Sequence, residues 1–292
     1  MLAFLCLVLH LASAYGSTSK GKTIILLAGQ SNMSGRGGVH NNTWDGVVPL
    51  QSQPNPSILR LTANLTWVEA REPLHKDIDV HATCGVGPGM AFANRLLQRD
   101  PGLGPLGLVP CAVGGPRGTS ISEWGRGTFL YKQLLMRAKV ARRDGGSIRG
   151  MLWYQGESDT VSEVDARMYK IRLVNLFRNL RADLGTPSLP IVLGTLILRD
   201  ASESLPYVHR TIFYEVAIAS ANGPYIEIVR KAQLGITLPK VRCVDAKGLP
   251  LLEDKRHLST LAQERLGPML ADAFLTLKRC GLTKQKYAYQ SL

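Results

Sequence analysis

Beyond its first 14 residues this chain has no apolar run long enough to cross a membrane, no Cys-x-x-Cys pair, no internal repeat and no low-complexity linker. The first absence excludes a helical membrane span in the body of the protein, and no membrane partner is expected. The second makes a zinc site unexpected, and no other residue cluster asks for a metal or a cofactor. The third and fourth exclude solenoids and strings of modules, leaving one domain over residues 15–292. Basic residues are plentiful, yet they are scattered and never interleaved with aromatics, so nucleic acid is not an expected partner. Charge is missing altogether from Met1 to Ala14, a largely Leu, Ala, Phe and Val stretch ending in the small residues Ala12-Ser13-Ala14. Residues 1–14 therefore read as a cleaved secretory signal, and the mature chain as an extracellular protein.

What is present fits that reading. The 35 basic and 22 acidic residues give a net charge of +13. Such an excess suits an anionic partner such as an acidic polysaccharide, or simply a solvated basic surface. Once the signal takes Cys6 away, Cys84, Cys111, Cys243 and Cys280 remain. An even number in an oxidising compartment permits two disulfides in any of three connectivities, although Cys111 sits in an apolar run and also reads as an inert buried thiol. Asn41-Asn42-Thr43 and Asn64-Leu65-Thr66 are glycosylation sequons in loop-like sequence. A third match, Asn32-Met33-Ser34, falls inside a glycine-rich turn where it is expected to be hidden.

That turn belongs to the stretch Ile24 to Gly38, around which the chain is organised. A run of β-branched and apolar residues stops at Gly29, and Ser31 follows amid Gly35, Gly37 and Gly38. The run predicts a strand buried on both faces of a parallel sheet, with Ser31 just past its carboxyl end, where open α/β sheets bind ligands. Further strands are expected at Leu106–Val113, Gly150–Gln155 and Leu189–Leu196, with a fifth at either 224–228 or 241–244. Helices are expected from Gly89, over Leu130–Arg143, Glu163–Leu184, Ser204–Ala221 and Thr260–Lys278. In the long helix from Glu163, the residues Met168, Ile171, Val174, Phe177 and Leu180 recur at helical spacing and are expected in the core. Residues 40–82 are broken by prolines, and their apolar patches at 58–61 and 65–68 predict an ordered flap over the site. Strands alternating with helices require a parallel sheet covered on both faces.

Four loops at the ends of these elements carry reactive side chains. Ser31 is in the first. The second, Gly114 to Ser120, offers backbone N–H donors. The third is Gln155-Gly156-Glu157-Ser158-Asp159, and the fourth Asp254-Lys255-Arg256-His257. A serine hydroxyl becomes a nucleophile when an imidazole takes its proton and a carboxylate holds that imidazole in the right tautomer. Asp254, three residues before His257, can supply the carboxylate from one tight turn. The Ser31 N–H, a glycine N–H of the second loop and the Gln155 amide are the right kinds of oxyanion donor. Against this stand plainer roles: Asp254, Glu157 and Asp159 as helix or turn caps. His40, His75, His81 and His209 read as surface or packing residues.

Gly29-Gln30-Ser31-Asn32-Met33, Gly85-Val86-Gly87-Pro88-Gly89-Met90, Trp153-Tyr154-Gln155-Gly156-Glu157-Ser158-Asp159 and Asp254-Lys255-Arg256-His257-Leu258 together resemble the plant sialate O-acetylesterase-like carbohydrate esterases, a branch of the SGNH hydrolase superfamily. The similarity runs from about Lys22 to Phe274. It implies a flavodoxin-like three-layer α/β/α fold and metal-free hydrolysis of acetyl esters through an acyl-serine. Carried over by motif, Ser31 is the nucleophile, His257 the base and Asp254 its orienting acid, with Glu157 the competing acid. Ser31, Gly115 and Gln155 line the oxyanion hole. Pro116-Arg117-Gly118 interrupts the Gly-Gly-Thr-Ser of the second loop, so Gly118 competes with Gly115 as the glycine donor. The implied substrate is acetylated cell-wall polysaccharide, with a secreted location. A non-catalytic carbohydrate-binding protein on a hydrolase scaffold, or a lipase or thioesterase of the same superfamily, is the alternative.

Overall fold

The computed structural model describes residues 21–115, 117–143, 145–195 and 223–288. Its first elements are β1 (Thr23–Gly29), α1 (Ser31–Ser34), the hairpin strands β2 (Val39–His40) and β3 (Thr43–Trp44), then β4 (Ile58–Leu61) and β5 (Trp67–Glu69). Next come α2 (Gly89–Arg99), β6 (Leu106–Pro110), α3 (Phe129–Ala141) and β7 (Ser147–Tyr154). The chain continues through α4 (Glu163–Asp183), β8 (Ile191–Thr195), α5 (Ile226–Leu234), β9 (Val241–Asp245) and α6 (Thr260–Ala288).

Seven strands form one sheet in the order β5-β4-β6-β1-β7-β8-β9. All pairs are parallel except the edge pair β4–β5. The central strand β1 alternates its side chains between two cores. Ile24, Leu26 and Ala28 pack with α3, α4 and α5, while Ile25 and Leu27 pack with α2 and α6. Each of these residues is fully buried, which for Ile and Leu contributes about 1.5–3 kcal/mol apiece. The result is the three-layer α/β/α architecture expected from the pattern of the sequence.

β1 ends at Gly29 for a steric reason. Its φ of +130° is a left-handed value, and a Cβ there would meet the Tyr154 carbonyl oxygen at 2.0 Å. The chain turns sharply, and α1 begins with Ser31 at the carboxyl rim of the sheet.

Several expectations are corrected. The patch at 58–61 is no flap: β4 pairs with β6 as a strand of the main sheet, and β5 completes its edge. Residues 226–234 are helical, so the fifth strand of the pattern is 241–245. On α4 the buried stripe is Ala166, Tyr169, Leu173, Leu176, Phe177 and Leu180, while Met168 and Ile171 are exposed and Val174 is half-buried. Phe177 and Leu180 are buried as expected; nearer the helix start the buried positions are instead Ala166, Tyr169 and Leu173, and the Tyr169 hydroxyl donates to Gln155 O. Two disulfides are not formed, since Cys84 and Cys111 are buried thiols that burial pushes up to about 11. Residues 1–14, the segment 204–221, His209 and the side chain of Cys280 lie outside the described residues.

Candidate active site

Ser31 opens α1 directly after β1, and His257 lies in the loop before α6, at the other end of the chain. The sheet brings them together: His257 Nε2 is 3.0 Å from Ser31 Oγ. The other ring nitrogen, Nδ1, is 2.5 Å from Asp254 Oδ2. The Asp254 carboxylate also caps its own turn, with Oδ1 accepting the N–H groups of Arg256 and His257, each at 2.9 Å. Capping and orienting are therefore one arrangement rather than rival roles. Partial burial would raise the Asp254 carboxyl, but the His257 and backbone hydrogen bonds outweigh it and hold the group well below the usual carboxylate range. Lys255, with φ of +54°, makes the reversal. The bonds Leu252 N–H to His257 O and Ser259 N–H to Pro250 O close the loop.

Glu157, the competing acid, makes no hydrogen bond to His257 among the described residues. Its Oε1 accepts from Asn32 Nδ2 at 2.8 Å, and its Oε2 is buried without a partner among the described residues. Burial pushes this carboxyl up to about 7. Asp159 is likewise pushed up to about 7 by burial, although it accepts from Ile121 N–H and Gln155 Nε2.

Two expected oxyanion donors are turned elsewhere. Gln155 Nε2 donates to Thr119 O and Asp159 Oδ2, each at 2.6 Å, and its side chain is fully buried. The Gly115 N–H donates to Asp79 Oδ1 at 2.9 Å. Ser31 keeps its place, with an N–H that has no partner among the described residues, and so does Gly118, the other glycine of the interrupted loop. Both line a small hollow beside Ser31 Oγ.

Asp79 was not legible as a site residue. It is buried and collects Arg36 Nη2 at 2.6 Å, Ser34 Oγ at 2.8 Å and the N–H groups of Gly114 and Gly115. Burial alone would raise its carboxyl, but the Arg36 guanidinium and these donors hold it below the ordinary range. It thereby ties the turn after β1 to the loop after β6. Gly114 allows that closeness, because a Cβ there would lie 2.8 Å from the Cα of Ser31. Asn32, part of the Gly29–Met33 motif and a sequon expected to be hidden, is fully buried. Its Oδ1 accepts Leu258 N–H at 2.9 Å, its Nδ2 reaches Arg256 O at 3.4 Å, and Gln263 Nε2 donates to its carbonyl. The signal for it was its place next to Ser31. For Asp79, in the irregular segment 40–82, the sequence held no signal. His75 is a packing residue, which burial drives down to about 3, whereas His40 and His81 are exposed.

Solved structures share this architecture. The crystal structure of an Arabidopsis thaliana protein superposes with a TM-score of 0.76 at 48% identity, covering 88% of this chain and 98% of that one. NanS (TM-score 0.64, 18% identity, 89% and 98% covered) has the same fold, as does a carbohydrate acetylesterase from Xanthomonas citri (0.56, 17%, 86% and 55%). Fold and site together define an α/β/α protein of the SGNH-like esterase class. In sequence, a probable carbohydrate esterase from Arabidopsis thaliana is 50% identical over 260 residues, 87% of this chain and 90% of its own. The profile of the carbohydrate esterases described as sialic acid-specific acetylesterases matches residues 21–276, and the chain belongs to that family. It is an acetylesterase, a carboxylic-ester hydrolase acting on carbohydrate acetyl groups.

Proposed function

We propose that this chain is a secreted serine esterase that removes O-acetyl groups from cell-wall polysaccharide. The observation that carries the mechanism is the unbroken line from Ser31 Oγ to His257 Nε2 (3.0 Å) and from His257 Nδ1 to Asp254 Oδ2 (2.5 Å). Ser31 Oγ attacks the acetyl carbonyl carbon while its proton passes to Nε2. Asp254 keeps the Nδ1 proton in place and stabilises the imidazolium that forms. The tetrahedral oxyanion is met by the N–H groups of Ser31 and Gly118, both of which lack a partner among the described residues. Such a preorganised donor is worth about 3–4 kcal/mol in known hydrolases. Collapse breaks the bond to the sugar oxygen, which takes the proton from Nε2. Water then follows the same route in reverse order, freeing acetate and restoring Ser31.

The hollow beside Ser31 measures about 80 Å³, which matches an acetyl group and not a long acyl chain. Secretion rests on the uncharged, apolar residues 1–14 and their small-residue end. The test is turnover of a chromogenic acetate by the purified chain and by Ser31→Ala. Loss of turnover in the variant is the expected result, and equal turnover would remove Ser31 from the chemistry.

A further inference from the structure

Two hollows meet at the Ser31–His257 pair, and Gly115 and His257 belong to the walls of both. The smaller, about 80 Å³, holds Ser31, Gly118 and the arginines Arg117 and Arg256. The larger, about 360 Å³, opens on the far side of His257, between the hairpin tip Asn41–Asn42, Thr83 and the Glu253–Asp254 turn. Small-molecule sites occupy roughly 300–1,000 Å³, so only the larger has the size for a sugar ring. Its position suits the leaving group, because the sugar oxygen must receive its proton from His257.

We propose that the larger hollow seats the departing sugar and selects an uncharged, hydroxyl-rich ring over a uronate. This rests on the esterase reading above and deepens it. The Asn41 and Asn42 side-chain amides line this hollow, and the one hydrogen bond that Thr83 gives Asn42 goes to its backbone carbonyl, leaving both amides without a partner among the described residues. Each offers two donors and an acceptor, the complement of neighbouring sugar hydroxyls. Thr83 fixes the tip by donating its hydroxyl to Asn42 O at 2.7 Å. Asn41 and Asn42 have φ of 49° and 59°, left-handed values that Asn tolerates better than most residues.

The charges on this wall point the same way. Glu253 is exposed, with no ion pair among the described residues, and the Asp254 carboxylate lies next to it. Arg36 is the one arginine or lysine on the wall, and its guanidinium is buried on Asp79. A sugar carboxylate placed here meets two like charges and no available arginine or lysine, and the titratable groups facing it besides these are His40 and His257. Arg117 and Arg256 are across the Gly115–His257 gap, on the acetyl side. The net charge of +13 thus belongs to the surface at large, while the hollow that touches the sugar is locally acidic.

The test uses the full chain with two matched probes, the tri-O-acetylated methyl xylopyranoside and the tri-O-acetylated methyl glucopyranosiduronate, alike except for the carboxylate at C5. Calorimetry follows their binding to Ser31→Ala, and acetate release follows turnover by the unaltered chain. The neutral probe should bind about tenfold more tightly at low salt, and Glu253→Lys should shrink or reverse that preference. Equal or tighter binding of the uronate overturns the proposal, as does failure to bind either probe, or a preference that Glu253→Lys leaves unmoved. If the preference is found but neither the probes nor a chromogenic acetate release acetate, the esterase reading fails and the selectivity of the hollow stands.

Discussion

Asn32 and Leu258 are 226 positions apart, yet the Asn32 side-chain oxygen accepts the Leu258 N–H at 2.9 Å. The amide nitrogen of the same side chain reaches the Arg256 carbonyl. Both peptide flanks of His257 are therefore held by the residue next to Ser31, which fixes the distance between the Ser31 hydroxyl and the His257 ring.

Replacing Asn32 by Asp is expected to set a carboxylate against Glu157 Oε1 and Arg256 O, two acceptors that the amide now satisfies. We expect kcat to fall about 10²-fold with little change in KM, as a displacement of this kind commonly costs. The double variant Asn32→Asp/Glu157→Gln restores a donor opposite the new carboxylate and should recover most of the loss. Losses that simply add in the double variant would show that the pair is not coupled.

Asp254→Asn should keep the turn but remove the charge that holds the imidazole tautomer. A loss in kcat of about 10⁴ is expected with KM nearly constant. Steady-state kinetics on a chromogenic acetate reads this directly. A change of less than tenfold would return Glu157 to consideration as the acid.

Asp79→Asn leaves the buried Arg36 guanidinium facing a neutral amide and denies the Gly114 and Gly115 N–H groups one of their oxygens. Removing one partner of a buried ion pair costs roughly 3–5 kcal/mol, so chemical denaturation should show a lower midpoint. Activity should fall as well, since the loop that touches Ser31 loses its anchor.

Gly114→Ala places a methyl 2.8 Å from the Cα, Cβ and N of Ser31. Backbone must move to accept it. Turnover of the chromogenic acetate should drop by at least about tenfold, while circular dichroism still reports a folded sheet.

The buried carboxyls should contribute to the pH dependence of stability with a definite sign. Glu157 and Asp159 are pushed up to about 7 by burial, and Glu72 to about 8. Each is neutral in the folded chain over a range in which the unfolded chain has already released its proton. These three carboxyls therefore make unfolding easier as pH rises from about 4 to about 8, Glu157 and Asp159 acting up to about 7 and Glu72 up to about 8, while buried His75 acts in the opposite direction between about 3 and 6.5. For Glu157 alone the effect is on the order of 3 kcal/mol. Thermal melts of Glu157→Gln across this range should decline less steeply than those of the parent chain, and parallel curves would count against a buried neutral Glu157.

The parts of this molecule that were readable from sequence are those set by short-range pattern. The run Ile24–Leu27 ending at a glycine specifies a central strand and a rim serine, and Asp254 three residues before His257 specifies an orienting turn. What could not be read depends on long-range partners. Whether the Gly115 N–H is available is decided by Asp79, 36 positions away in a segment with no periodicity. Whether the Gln155 amide faces the site is decided by Thr119 and Asp159. On α4 the spacing places Phe177 and Leu180 correctly, but near the helix start polar Tyr169, with its hydroxyl on Gln155, is buried where Met168 is exposed. The strand β4 looked like part of a flap because four residues carry too little pattern to reveal a parallel partner.

The Asn41–Asn42 tip carries one more consequence. Asn41 begins the sequon Asn41-Asn42-Thr43 and at the same time forms the doorway of the larger hollow. A branched oligosaccharide attached there during passage through the endoplasmic reticulum would take one hydrogen of the Asn41 amide and stand in front of any incoming polymer, so the sugar seat proposed above is that of the chain without this glycan. Protein made in a bacterial cytosol and protein made by a eukaryotic secretory cell would then differ at the entrance while sharing an identical centre, so the choice of expression host becomes an experimental variable.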